Sequence, residues 1–245
     1  MHYSRTAVVK RYALNAFFVF LMALHYILKL VGASKPPVWR KIIMGDEATY
    51  NDLHYAIQAA FGWQDCHLWE FRSVRGTFDC WRITKKDDFG WDFGDESDAT
   101  PDVPLVENGR LYTRFVYRYD FGDGWEVDVK LDGWDPEGDG FGECVAKKGA
   151  NPPEDCGGIY GYRTFKDIFT RAADGTLSEE DEAELKSMRE WLCLDADETW
   201  DPEVGICLKS EVDACRKAWK KQAAAYTARV KALKERGKKK RESTP

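Results

Sequence analysis

Residues able to do chemistry stand in two stiff, glycine-rich turns, with two histidines upstream. Asp120 and Asp123 enclose Phe121-Gly122 just ahead of Gly124 and Trp125, while Glu154 and Asp155 sit between Pro152-Pro153 and Cys156-Gly157-Gly158. His54 and His67 are the imidazoles that lie clear of the N-terminal region, unlike His2 and His25. Carboxylates on rigid turns with imidazoles nearby offer oxygen and nitrogen ligands for a divalent metal, or a general acid and base. The same residues also have an ordinary use. Asp120 and Asp123 would cap turn amides, Glu154 or Asp155 would cap a helix after Gly161, and His54 would sit hydrogen-bonded at the edge of a core.

Other familiar chemistries are missing. The sequence has no phosphate-binding loop ending in Gly-Lys-Ser/Thr, no dinucleotide fingerprint, no Gly-x-Ser-x-Gly elbow and no His-Glu-x-x-His. Its seven cysteines (Cys66, Cys80, Cys144, Cys156, Cys193, Cys207 and Cys215) contain no Cys-x-x-Cys pair and no zinc-ribbon rhythm. Neither dense nor evenly paired, they are expected to be reduced thiols, and the chain is expected in the cytoplasm. Asp92-Phe93-Gly94 has the letters of a kinase metal-binding triplet without the rest of that signature.

The elements that must position these residues predict an α+β fold, mainly an antiparallel sheet, with a helix after the second strand and a helical C-terminal part. The chain of 245 residues is 44% hydrophobic and includes ten Trp, enough for a packed core. Leu24, Tyr26, Leu28 and Leu30 alternate as one face of a strand, and Val38–Met44 follows Pro36-Pro37 as a second. Thr49 opens a helix through Phe61, with Asp52 completing a capping box and Gly62 ending it. Cys66–Val74 and Phe78–Thr84 read as a hairpin pair, and Asp87–Asp102 as an acidic loop. Leu111–Tyr119 and Trp125–Asp132 alternate as the arms of a further hairpin around the Asp120–Gly124 turn. Residues 133–161 read mostly as loop. Helical periods begin at Thr164, again at Ser178, and in a long amphipathic stripe from Val212 to Leu233.

Charge divides the chain. Residues 209–245 carry 13 basic against 4 acidic residues, whereas the whole chain has a net charge of -6. This gives a division into residues 1–21, an α+β domain over 22–208 and a basic helix and tail over 209–245. Phosphate contacts, if the tail binds nucleic acid, would fall on Lys234 to Arg241, while a partner helix would use the Val212–Leu233 stripe. At the other end, the apolar run from Tyr12 to Leu28 resembles a membrane anchor or a signal peptide, but its second half alternates like a strand. Residues 1–21 are therefore expected to be an extension ahead of a start at Met22, with anchoring through residues 12–28 as the alternative.

Several of these segments resemble one family closely. They are Leu30-Val31-Gly32, Pro36-Pro37-Val38-Trp39-Arg40, Thr49–His54, Ala56-Ile57-Gln58, Phe61-Gly62-Trp63, His67-Leu68, Tyr117–Trp125, Pro152–Gly158 and Gly161-Tyr162. In that order, from about Leu24 to about Trp219, they resemble the plasmid pRiA4b ORF-3-like family, with Trp200-Asp201-Pro202-Glu203 a looser fit. The resemblance implies an α+β domain of undetermined activity, found on plasmids and in mobile elements, in which Trp39, Trp63, Trp125 and Tyr162 are motif aromatics. Some relatives are labelled insertion-sequence passenger proteins or resolvases, yet this N-terminus offers no nucleophilic serine with an arginine constellation. The chain departs from the family twice. Val127 stands where relatives commonly place His, and Asn151 where some place Cys, which weakens any family metal site built on those residues. The expected function is a non-enzymatic binding or accessory domain. A metal-dependent hydrolase or nuclease using His54, His67, Asp120, Asp123, Glu154 and Asp155 is one alternative, and nucleic-acid or partner binding through the basic helix is another.

Overall fold

The computed structural model describes residues 6–8, 22–74, 81–84, 98–107, 110–135, 138 and 140–242. Its strands are β1 (Thr6–Val8), β2 (Ala23–Leu30), β3 (Trp39–Gly45), β4 (Trp69–Arg72), β5 (Arg82–Thr84), β6 (Asp98–Ala99), β7 (Val106–Glu107), β8 (Arg110–Tyr112), β9 (Arg114–Tyr119), β10 (Trp125–Asp135), β11 (Phe141–Lys148), β12 (Glu198–Asp201) and β13 (Gly205–Leu208). The helices are α1 (Tyr50–Phe61), α2 (Gly158–Asp174), α3 (Glu179–Trp191) and α4 (Val212–Glu242). The main sheet runs β11-β3-β2-β10-β9-β4-β5-β6, antiparallel throughout except for the parallel β5–β6 pair. This is the expected α+β architecture.

Alternation in β2 decides which face is core. Leu24, Tyr26, Leu28 and Leu30 are fully buried and join Phe115, Tyr117, Val127 and Val129 from β9 and β10. Leu53, Ile57 and Phe61 of α1, with Tyr162, Phe165 and Phe169 of α2, complete this core. The opposite face is covered near one edge by α4, whose Tyr226 packs with Ala146 of β11 and Trp39 of β3. Tyr226 also lies against the buried His25 of β2, and Lys41 Nζ sits 4.1 Å above its ring.

Local signals set the helix ends. Thr49 and Asp52 form the predicted capping box on α1, and Gly62 closes it at φ +71°. Ser178 and Asp181 do the same for α3.

Three expectations are corrected, and one hairpin is added. Residues 133–161 are not mostly loop. β10 continues to Asp135, and β11 forms a sheet edge whose alternation is broken by register shifts at Phe141/Glu143 and Cys144/Ala146. Bulges of this kind insert residues that upset a period-two pattern. Leu111–Tyr119 is split at Thr113, because β8 turns away to pair with β1 and β7 in a separate sheet. The helix expected from Thr164 begins six residues earlier, its first turn hidden in the sequence by Gly158 and Gly161. The hairpin β12–β13 was not expected at all.

The apolar run from Tyr12 to Leu28 ends inside the sheet, where Ala23–Leu28 is hydrogen-bonded between β3 and β10. No helix among the described residues is long and apolar enough to cross a membrane. Residues 9–21, most of the loop expected at Asp87–Asp102 and the turn near Gly76 lie outside the described residues.

Candidate functional site

Three segments converge at one end of the sheet. The first follows α1 and runs from Gly62 to Leu68 into β4. The second is the Asp120–Gly124 turn joining β9 to β10. The third is the Asn151–Gly157 segment between β11 and α2.

Arg40 anchors this region from beneath. It is fully buried on β3 and donates to the carbonyls of Ala60 (2.7 Å), Trp39 (2.8 Å) and Lys148 (3.0 Å) and to Asn151 Oδ1 (2.6 Å). Burial pulls its guanidinium down to about 10, still a cation at neutral pH. Asn151, the residue that departs from the family, is thus tied to the end of α1 through one side chain.

His67 is the meeting point. Its Nε2 lies 3.1 Å from Asp155 Oδ1, 3.7 Å from Asp120 Oδ2 and 3.9 Å from Glu154 Oε1. This nitrogen is buried and makes no hydrogen bond. Cys66, absent from the sequence expectation, joins the group with Sγ 3.4 Å from Glu154 Oε1. Two sets of candidate ligand atoms, Cys66–His67–Glu154 and His67–Asp120–Asp155, each lie within 4.8 Å of one another.

The carboxylates are held from behind. Asp120 Oδ1 accepts from the amides of Gly122 (3.0 Å) and Asp123 (3.3 Å), leaving Oδ2 toward His67. Glu154 Oε2 accepts from the Gln64 amide at 3.3 Å, and Oε1 accepts a short bond from the Tyr119 hydroxyl. That hydroxyl in turn accepts from the Cys66 amide at 3.2 Å. Burial, reinforced by the bond to Glu154, raises the Tyr119 phenol far above its ordinary range, so it remains a donor. Burial and the nearby Glu154 and Asp155 carboxylates likewise push the Cys66 thiol up.

Backbone strain concentrates in the same place. Asp65, Asp120 and Asp155 hold φ near +50°. Aspartate tolerates this left-handed region better than most side chains, at a cost normally kept only where surrounding contacts enforce it.

The other sequence-predicted residues serve elsewhere. His54 is buried and stacked on Trp69 at 4.1 Å between ring centroids. Its Nδ1 meets the Tyr117 hydroxyl and its Nε2 meets Asp65 Oδ1, both at 2.8 Å, so it braces the His67 segment instead of facing the carboxylates. Gln58 closes the network, donating to Tyr117 and accepting from the Asp65 amide. Asp123 Oδ2 accepts from the Gly157 amide at 3.2 Å, and so supplies the contact to the start of α2 that was expected of Glu154 or Asp155. Trp63, Trp125 and Tyr162 are buried core, and Trp39 packs under α4. Val127 is plain core, paired with Leu30 and Tyr117. Cys66 lies ahead of β4 and not inside the expected Cys66–Val74 strand, and its sequence signal is its place immediately before His67 in a segment that follows the helix-ending Gly62.

Two similar proteins share about a third of their residues with this chain over the matched stretches. Uncharacterized protein y4hQ of Sinorhizobium fredii is 32% identical over 139 residues, 54% of this chain, and the match spans 65% of that relative's length. The crystal structure of MM3350 from Methanosarcina mazei Go1, a protein of unknown function, is 31% identical and superposes with a TM-score of 0.58, covering 76% of this chain and 95% of that one. Residues 24–205, which include the whole cluster and everything that braces it, match the family described as plasmid pRiA4b ORF-3-like protein, and the chain belongs to that family.

Proposed function

We propose that this chain is a binding domain whose recognition surface is organised by a divalent cation held between His67, Asp120, Glu154 and Asp155. The observation that carries this reading is the position of His67 Nε2, buried, without a hydrogen bond and 3.1–3.9 Å from three carboxylate oxygens on two separate loops. The Asp120 and Asp155 carboxylates, within 4.8 Å of each other, repel by about 3 kcal/mol at an effective dielectric constant near 20, and a bound cation reverses that sign. Asp120 and Glu154 are each oriented by hydrogen bonds behind them, as metal ligands commonly are. Asp155, 63% exposed, leaves one side of the centre open to a ligand from solvent. Exposed Leu68 and Phe121 flank His67 and Asp120 in the chain and give that side an apolar margin.

Elemental analysis of protein purified without chelator or a metal-affinity tag tests the proposal. Near-stoichiometric metal that disappears in His67→Ala and Asp120→Asn supports it. Metal-free protein whose melting temperature is indifferent to added zinc, manganese, magnesium and calcium rejects it. Metal-dependent turnover of an ester or phosphodiester, lost in Asp120→Asn, would replace the binding role with the hydrolase reading.

A second reading concerns α4. Tyr226 of this helix is buried, while Lys231 and Glu235 beyond it are exposed. Residues 227–242 hold eight basic and two acidic residues. This supports phosphate contacts by Lys234 to Arg241. Binding to duplex DNA that falls steeply with salt, and is lost on removing residues 234–245, is the expected result.

A further inference from the structure

Cys66 Sγ lies within hydrogen-bond reach of Glu154 Oε1 and the Tyr119 hydroxyl, and the spacing of the group also matches the edges of a tetrahedral ion's ligand shell. A zinc ion with bonds of about 2.3 Å to sulfur and about 2.0 Å to oxygen and nitrogen separates sulfur from oxygen by about 3.5 Å, and nitrogen from oxygen by about 3.3 Å. Cys66 Sγ is 3.4 Å from Glu154 Oε1, and His67 Nε2 is 3.1 Å from Asp155 Oδ1 and 3.7 Å from Asp120 Oδ2. The last of these is too long for a hydrogen bond, yet it is only a few tenths of an ångström from a shared coordination edge. Glu154 Oε1 is also 3.9 Å from His67 Nε2, so a single carboxylate oxygen faces both the thiol and the imidazole.

Resting on the cation centre proposed above, we infer that Cys66 is a ligand together with His67, Glu154 and one of the Asp120 and Asp155 carboxylates, and that the site takes a borderline, thiolate-accepting metal such as zinc, cobalt(II) or iron(II) in preference to magnesium or calcium. Hard cations select oxygen-only sets, whereas one sulfur and one imidazole nitrogen shift preference toward first-row metals at the zinc end of the series. The local chain makes the pairing of neighbours possible. Asp65 at φ +53°, braced by His54 and Gln58, turns the backbone so that the consecutive Cys66 and His67 side chains both reach Glu154. Tyr119 supports the sulfur side, accepting from the Cys66 amide while donating to Glu154.

Cobalt(II) titration of chelator-treated full-length protein tests this directly. A near-ultraviolet thiolate-to-cobalt charge-transfer band that saturates near one equivalent is expected. It should vanish in Cys66→Ser, persist in Cys156→Ala, and be bleached by zinc but not by a hundredfold excess of magnesium. Independently of any variant, zinc should slow alkylation of Cys66 in the wild-type protein at least tenfold, read by peptide mass spectrometry. Metal bound through His67 with no such band and no protection of Cys66 overturns the thiolate assignment while leaving the cation centre intact. Absence of binding by cobalt, zinc, manganese and calcium alike overturns both.

Discussion

The backbone carbonyl of Asp123 occupies the space that a side chain on Gly158 would need, closer than van der Waals contact allows. Asp123 closes the turn that carries Asp120, and Gly158 is the first residue of α2, directly after the segment that carries Glu154 and Asp155. With the bond from the Gly157 amide to Asp123 Oδ2, this close approach is what brings the two acidic segments together.

Gly158→Ala should therefore be costly. It adds a side chain at φ +66° and forces it onto a backbone atom that has no rotamer to escape by. A loss of about 2–4 kcal/mol is expected, read as a lower urea midpoint, with weaker metal binding in the folded fraction.

The two histidines should separate cleanly. His67→Ala is expected to abolish metal retention with little change in stability, since its ring is partly exposed. His54→Gln leaves the Tyr117 hydroxyl and Asp65 poorly matched in a buried network and should cost about 2–3 kcal/mol. Its metal stoichiometry should survive at reduced affinity. Loss of metal in a fully folded His54→Gln protein would contradict the bracing role.

Arg40→Met removes a cation that serves four oxygens and leaves three backbone carbonyls in the interior without that donor. Destabilisation of about 3–5 kcal/mol is expected from thermal or urea unfolding. Arg40→Lys should recover only part of it, because an ammonium cannot reproduce the planar fork.

Alkaline pH should destabilise the fold through Cys156 before the buried tyrosines contribute. Burial, aided by Asp123, pushes this thiol up to about 12 from its ordinary 9.0. The unfolded chain then releases its proton first, so the stabilisation is complete below about pH 9 and is lost as pH rises toward 12. Urea midpoints measured between pH 8 and 10.5 should fall more steeply for wild type than for Cys156→Ala.

Tyr226→Ala should release the distal half of α4 while leaving the main core intact. Tyr226 is 5% exposed, against His25, Lys41 and Ala146. Faster tryptic cleavage within residues 216–241, with a loss of about 2–3 kcal/mol or less in global stability, is the expected pattern.

Where side chains alternate or cap, sequence and structure agree. Leu24 through Leu30, Thr49 with Asp52, Gly62, and Ser178 were each legible because a short-range rule decides them. β11 was hidden because its bulges break the two-residue period, and the start of α2 because Gly158 and Gly161 serve close packing against Asp123 and Cys156 instead of helix propensity. In the candidate cluster, Asp120, Glu154, Asp155 and His67 stand out in the sequence by residue type and rigid surroundings, and the fold brings them together. His54 was drawn into the same set because a sequence shows an imidazole without showing its partners, and Trp69 and Tyr117 lie far along the chain. Cys66 stayed hidden because only the fold brings Glu154, 88 positions away, to its sulfur.

The place of β2 has a consequence during synthesis. This strand lies between β3 and β10, yet roughly a hundred residues separate it from β10. At about 5–20 residues per second, a nascent chain would present the apolar face of β2 with one neighbour missing for about 5–20 s. The sheet cannot close from its first strand outward. Its middle must wait for the ribosome, and folding should become committed only once Asp135 has left the exit tunnel.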